Sequence, residues 1–151
     1  MTTFKTNKIN EIVREIKNQN FGKFSVNLRG PSFFHLKFVW FKAEKKDMYK
    51  IHKKVIEIVR KYKSPWILPD YKKIKLNMKQ KFYMKKYSFP YVLEYFLPHM
   101  ALAGFKFNKK DLPKINKAIE KQMTIKMPVK NLYILTKKGN KWYYYTKIGL
   151  K

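Results

Sequence analysis

The chain has no cysteine and, among its 151 residues, only nine carboxylates and three arginines. Without cysteine there is no disulfide, no thiolate metal site and no cysteine nucleophile. The scarcity of Asp and Glu argues against a carboxylate-based hydrolase, and Asp47 and Asp111 are placed where a helix N-cap would fall. Glycine is sparse, at five residues, and none of it forms a Gly-rich phosphate loop. His, Asp and Glu are nowhere clustered at metal-ligand spacing, so neither a metal nor another cofactor is expected. No apolar run approaches the roughly 20 residues that span a bilayer, and the opening Met1-Thr2-Thr3-Phe4-Lys5 has no signal-peptide core. These absences lead to the expectation of a cytoplasmic protein without a membrane partner.

What the chain has in abundance is lysine. The net charge is +27, and Arg14, Arg29 and Arg60 are its only arginines. A basic surface draws phosphate backbones by releasing their counterions, which points to RNA or a nucleotide-like phosphodiester as the partner. Lysine acts as a point charge where arginine gives bidentate contacts, so the expected attraction carries no sequence readout. The accompanying richness in Ile, Asn, Tyr and Phe is also what AT-rich coding would produce, and the charge alone does not separate the two origins. With 45% hydrophobic and 17% aromatic residues, the chain can bury the core of one domain, and a monomer is expected.

Periodicity divides the chain into short elements. Ile9, Ile12, Val13 and Ile16 recur at helical spacing behind Asn7, predicting a helix capped by Asn7 and running to about Asn18. Phe24, Val26 and Leu28 alternate as a strand. Gly30-Pro31 reads as a turn, and Phe33 to Phe41 as a second strand completing a hairpin. Asp47 opens a helix to about Tyr62, with Met48, Ile51, Val55, Ile58 and Val59 inward and His52, beside Lys53 and Lys54, on its solvated side. Trp66 to Leu76 is irregular. Asn77 caps a helix to about Tyr87, Phe89-Pro90-Tyr91 breaks the chain, and a strand then carries His99. Asp111 begins a last helix with Ile115, Ala118, Ile119 and Met123 inward. Val129–Thr136 and Lys141–Ile148 form a hairpin across Lys137-Lys138-Gly139-Asn140, where Gly139 suits a positive φ. The expected class is α+β, in one domain made of a lobe over about 7–63, a connection over 64–76 and a lobe over about 77–150.

Two histidines head apolar runs, Phe33-Phe34-His35-Leu36-Lys37-Phe38 and Leu97-Pro98-His99-Met100-Ala101-Leu102-Ala103-Gly104. In a strand, alternate side chains share a face, which pairs His35 with Lys37 and His99 with Ala101. These His-x-Lys and His-x-Ala segments resemble the paired His-x-Thr/Ser motifs of the two-histidine (2H) phosphoesterases, which include RNA 2′-5′ ligase-like proteins and cyclic nucleotide phosphodiesterases. The segment Leu76–Gln80 and Tyr87–Gly104 is similar to a branch associated with phosphonate breakdown, which reads Tyr-Pro-Tyr-Val, a phenylalanine, and then His-Met-Thr-Leu-Thr-Gly. Here Pro90-Tyr91-Val92 and His99-Met100 match it.

The resemblance implies two pseudo-symmetric lobes of antiparallel sheet, helices outside and a central cleft, somewhat truncated in this chain. It also implies His35 and His99 as catalytic acid and base without a metal, one taking a proton from water or a hydroxyl while the other protonates the leaving oxygen. The partner hydroxyls of the family are replaced by Lys37 and Ala101. Lys37 supplies a cation to the phosphate and Ala101 supplies no donor. Tyr91, just ahead of the second motif, is a candidate for the edge of the cleft or for packing. The activity expected is that of a small hydrolase, a cyclic phosphodiesterase. The alternative is a catalytically degraded relative that binds RNA or another polyanion through its lysines. Trp142-Tyr143-Tyr144-Tyr145 offers either base-stacking rings among lysines or a half-buried strand, with Trp142 and Tyr144 on one face and Tyr143 and Tyr145 on the other.

Overall fold

Asn77 shows how local sequence starts an element: its side chain accepts the N–H of Gln80, and Gln80 accepts the N–H of Asn77, a capping box. The computed structural model describes residues 5–34, 38–65, 74–104, 109–118, 123–139 and 141–151. Within these the helices are α1 (Ile9–Lys17), α2 (Lys45–Tyr62), α3 (Met78–Tyr87) and α4 (Leu112–Ala118). The strands are β1 (Phe24–Phe34), β2 (Phe38–Ala43), β3 (His99–Gly104), β4 (Met123–Val129), β5 (Asn131–Lys138) and β6 (Lys141–Gly149). The class is α+β, with a four-stranded antiparallel sheet ordered β3-β2-β1-β4 and a two-stranded sheet β5-β6.

The chain forms two compact units, one of Met1–Phe24, Tyr49–Phe96 and Val129–Lys151, the other of Ser25–Met48 and Leu97–Pro128. In the first unit α2 is apolar on more than one side. Ile58 and Val59 join Ile12 and Ile16 of α1 and Ile148 of β6 in one cluster, with Leu132 and Ile134 of β5 packed against it. Ile56 turns instead to Tyr83 and Tyr87 of α3 and to Val92. Burying a side chain of this size contributes about 1.5–3 kcal/mol, so these contacts outweigh the weak intrinsic stability of short helices. α3 stops at Tyr87 because Ser88 takes φ 61°, donating its N–H to Met84 O at 2.9 Å.

Three details differ from what local pattern predicts for this unit. Asn7 does not cap α1. The hydroxyl one residue earlier does the local bonding, Thr6 Oγ1 accepting the N–H of Lys8 at 2.9 Å and donating to the Tyr62 carbonyl at 2.7 Å. His52 is buried rather than solvated, at 8% exposure, with its ring stacked on Phe96 at 3.9 Å between centroids. The stretch Trp142–Tyr145 is not half core: all four side chains are exposed, and the inward residue of β6 is Ile148.

The second unit holds the four-stranded sheet. The turn expected at Gly30-Pro31 is absent, because β1 continues through that pair, which has a cis peptide bond, with a register shift between Arg29 and Ser32. A bulge lets a strand carry proline without losing its ladder on both sides. Phe33–Phe41 is accordingly not one strand: β1 ends at Phe34, β2 begins at Phe38, and the two pair Phe34↔Phe38. Met123, expected on the last helix, opens β4 instead. β4 lies beside β1, so pairing across a long sequence separation overrides its weak local signal.

Candidate functional site

Register places three basic side chains in one row across the sheet of the second unit. Arg29 of β1 pairs with Lys42 of β2, and Lys42 pairs with His99 of β3. Directly opposed residues project to the same face, so Arg29, Lys42 and His99 stand side by side, and all three are exposed. Two residues back along β2, Trp40 is buried on this face opposite Ala101, and its ring lies 4.9 Å from that of His99, tilted by 55°. The other face carries the apolar residues Leu28, Phe41 and Ala43.

Two local features orient the row. His99 Nδ1 lies 2.9 Å from the Leu97 carbonyl, which accepts only, so the neutral imidazole carries its proton on Nδ1 and leaves Nε2 as the basic nitrogen. The neighbouring Pro98 carbonyl accepts the N–H of Ala43 at 3.0 Å, fixing the start of β3 against β2. At the far end of the row Glu44 holds Arg29 by one guanidinium nitrogen at 2.9 Å and Asn27 Nδ2 by its other oxygen at 2.9 Å. The Lys42 ammonium, between them, has no ion-pair or hydrogen-bond partner among the described residues. Such a row can hold an anion and, at its histidine end, exchange a proton with it.

Of the residues the sequence singles out, His99 and Ala101 share this face, as alternation predicts. His35 and Lys37 lie outside the described residues. Tyr91 belongs to the first unit, half-buried, with its ring edge-on to Phe89 at 5.9 Å between centroids. Arg29, Lys42 and Trp40 were not legible as site residues, because only the pairing of strands far apart in sequence brings them beside His99. No group of His, Asp or Glu among the described residues is arranged to hold a metal ion.

The first unit is basic in a different way. Three of its glutamates are each gripped by a cation and a tyrosine hydroxyl: Glu15 by Lys61 and Tyr62, Glu57 by Arg60 and Tyr87, Glu94 by Lys79 and Tyr83. The Lys79 ammonium, aided by Tyr83, holds the Glu94 carboxyl down to about 2. Burial pushes the Tyr87 phenol upward, and its bond to Glu57 adds to the shift. Lys50, Lys53, Lys54 and Lys61 border a depression of about 550 Å³ together with Glu15 and Glu57.

No protein-family model matches the chain, and no curated protein or solved structure is detectably similar to it.

Proposed function

We propose that the chain is a divergent 2H-type phosphoesterase that opens a cyclic phosphate or an RNA-derived phosphodiester, using the basic sheet face of the second unit as its phosphate platform. The observation that supports this reading is the row Arg29–Lys42–His99, two basic side chains and one oriented imidazole on three adjacent strands. A phosphate across the row is held by the Lys42 ammonium and by guanidinium N–H groups that Glu44 does not occupy. His99 Nε2 takes the proton of an attacking water or hydroxyl, or in its protonated form gives one to the leaving oxygen. His35 is the second proton-transfer group in this reading, with Lys37 on the substrate. Ala101 offers no donor, and by analogy with lost oxyanion donors its presence lowers turnover on the order of a hundredfold.

A second reading, binding of a polyanion without chemistry, is favoured by that same Ala101. One assay separates the two. Purified protein is given a 2′,3′-cyclic phosphate in the presence of a chelator. The enzyme reading expects turnover that His99→Ala and His35→Ala abolish and Lys42→Gln weakens mainly through KM. Turnover indifferent to both histidines would overturn it, and salt-sensitive RNA binding without any turnover would establish the binding reading in its place.

A further inference from the structure

The hairpin β5–β6 turns an unusual surface away from the core of the first unit. Its cross-strand pairs alternate between two faces. Leu132↔Ile148 and Ile134↔Thr146 belong to the inner one, which meets α1 and α2 through Ile12, Ile16, Ile58 and Val59. A register shift between Ile134 and Leu135 leaves Tyr145 as the extra residue, and its hydroxyl donates to Asn10 Oδ1 of α1 at 2.5 Å. The outer face therefore presents three successive pairs, Tyr133↔Lys147, Leu135↔Tyr144 and Lys137↔Trp142. Its rings are open: Tyr133 is 62% exposed, Tyr144 60% and Trp142 41%.

We infer that this outer face is a binding platform for single-stranded nucleic acid, with Tyr133, Tyr144 and Trp142 stacking on unpaired bases and Lys137 and Lys147 meeting the phosphates between them. Three observations lead there. First, Trp142 and Tyr144 are same-face positions of β6, about 7 Å apart, and Tyr133 stands diagonally across from Tyr144 with its ring 6.4 Å away and tilted by 60°, so the three rings line the face as a row. Second, cations are interleaved with the rings, Lys137 Nζ lying 5.7 Å from the centre of the Trp142 ring. Third, residues 129–151 contain six lysines and no Asp or Glu. A second copy of this surface would oppose like charges, so the complementary partner is anionic. Tyrosine and tryptophan faces suit flat bases; rings of this kind also sit at lipid interfaces, but among the paired residues of this face Leu135 is the one aliphatic side chain, which leaves little apolar area to insert among acyl chains.

The hairpin has lysine and no arginine, so its phosphate contacts are point charges and its bases are met by faces rather than edges. Binding is then tolerant of sequence. The assignment shares with the binding reading above only the expectation of a polyanion, and it does not involve His99, Lys42 or Arg29.

The test is fluorescence anisotropy of the full chain with labelled oligouridylate, oligothymidylate and an abasic oligomer of equal length and charge. Tyr144→Ala and Trp142→Ala are each expected to weaken binding of the base-bearing strands about five- to hundredfold. Tyr144→Phe retains binding, because stacking needs the ring and not the hydroxyl. The abasic strand binds the unaltered protein as weakly as the base-bearing strands bind the alanine variants. Thermal melting checks that these exposed substitutions leave the fold intact. Equal binding of abasic and base-bearing strands, or affinity unmoved by the ring substitutions, would overturn the assignment, as would binding confined to anionic vesicles. The combined Arg29→Gln and Lys42→Gln protein keeps its oligonucleotide affinity at the hairpin while losing the sheet site, so the two proposals fail separately.

Discussion

The backbone N–H of Leu93 donates to Nε2 of His52 at 3.1 Å, across 41 residues of sequence. Leu93 opens a short 3₁₀ turn, Leu93–Tyr95, whose N-cap Val92 supplies no side-chain acceptor. The first N–H groups of a helical turn need an external partner, and here α2 provides it. Leu93 also sits at φ 54°, a left-handed conformation that costs a non-glycine residue about 1–2 kcal/mol. His52, stacked on Phe96, supplies the bond that helps hold it there.

His52→Phe keeps a ring for Phe96 but leaves the Leu93 N–H without its acceptor. The expected loss of stability is about 1 kcal/mol, the low end of the cost of an unsatisfied donor because this one is part-buried. His52→Ala removes the ring contact as well and should lose about 1 kcal/mol more. Urea titration followed by circular dichroism measures both, and a His52→Phe protein as stable as the parent would contradict this role.

The capping box at Asn77 gives a second measurable increment. Asn77→Ala removes the acceptor for Gln80 N at 2.8 Å and also the donor to the Tyr95 hydroxyl at 3.0 Å. Loss of an N-cap side chain costs about 0.5–2 kcal/mol, and Asn77→Ser should restore most of it. Comparison of the two midpoints in urea tests the cap rather than the position.

Stability should fall in acid, beginning near the ordinary carboxylate range. Glu94 is held down to about 2 by Lys79 first and by Tyr83 after it, and Glu15 and Glu57 are lowered by Lys61 and Tyr87 respectively. Each folded-state value lies below the unfolded one, so the contribution is complete above about 4.5 and is lost as pH falls from there through the folded values. Melting temperature measured against pH should be level on this account from neutrality to about 5 and decline below it. Glu94→Gln should flatten part of the decline, and a decline of unchanged shape in Glu94→Gln, Glu15→Gln and Glu57→Gln would exclude these groups as its cause.

At Gly30 the bulge in β1 leaves too little room for a side chain unless the neighbouring strand gives by a few tenths of an ångström. A Cβ there would stand 3.0 Å from the Trp40 carbonyl oxygen and 3.3 Å from Phe41 Cα, both backbone atoms of the neighbouring strand. Gly30→Ala must push β1 from β2, at a cost of about 1–3 kcal/mol. Gly139→Ala is the informative contrast: the hairpin turn has open space around it but φ 56°, so its cost of about 1 kcal/mol is conformational. Urea midpoints for the two variants rank these costs.

Local patterns were the readable part of the fold. The helical repeats of α1 and α2, the Asn77 start of α3 and the β5–β6 hairpin around Gly139 all depend on residues within a few positions of one another. Gly30-Pro31 reads as a turn on local pattern and is a bulge in the fold, since a Gly-Pro pair is as good a bulge as a turn until a partner strand selects one. His52 is buried for a similar reason: two adjacent lysines mark a solvated helix face, yet Phe96 and Leu93 arrive from elsewhere to cover the ring. The aromatic run on β6 reads as half core by alternation, but only α1 and α2 determine how far along the hairpin the core extends.

By itself, then, the sequence determined the charge, the absence of thiol chemistry, most helix and hairpin positions, and His99 as a residue of interest. Tertiary structure alone decided that β1 runs unbroken past Pro31, that β4 joins its edge, and that Arg29, Lys42 and His99 form one row. The physical reason is the period of a strand. Each strand shows which residues alternate, but which of its neighbours stands opposite is fixed by register, and a shift of one residue would have sent His99 to the other face from Lys42.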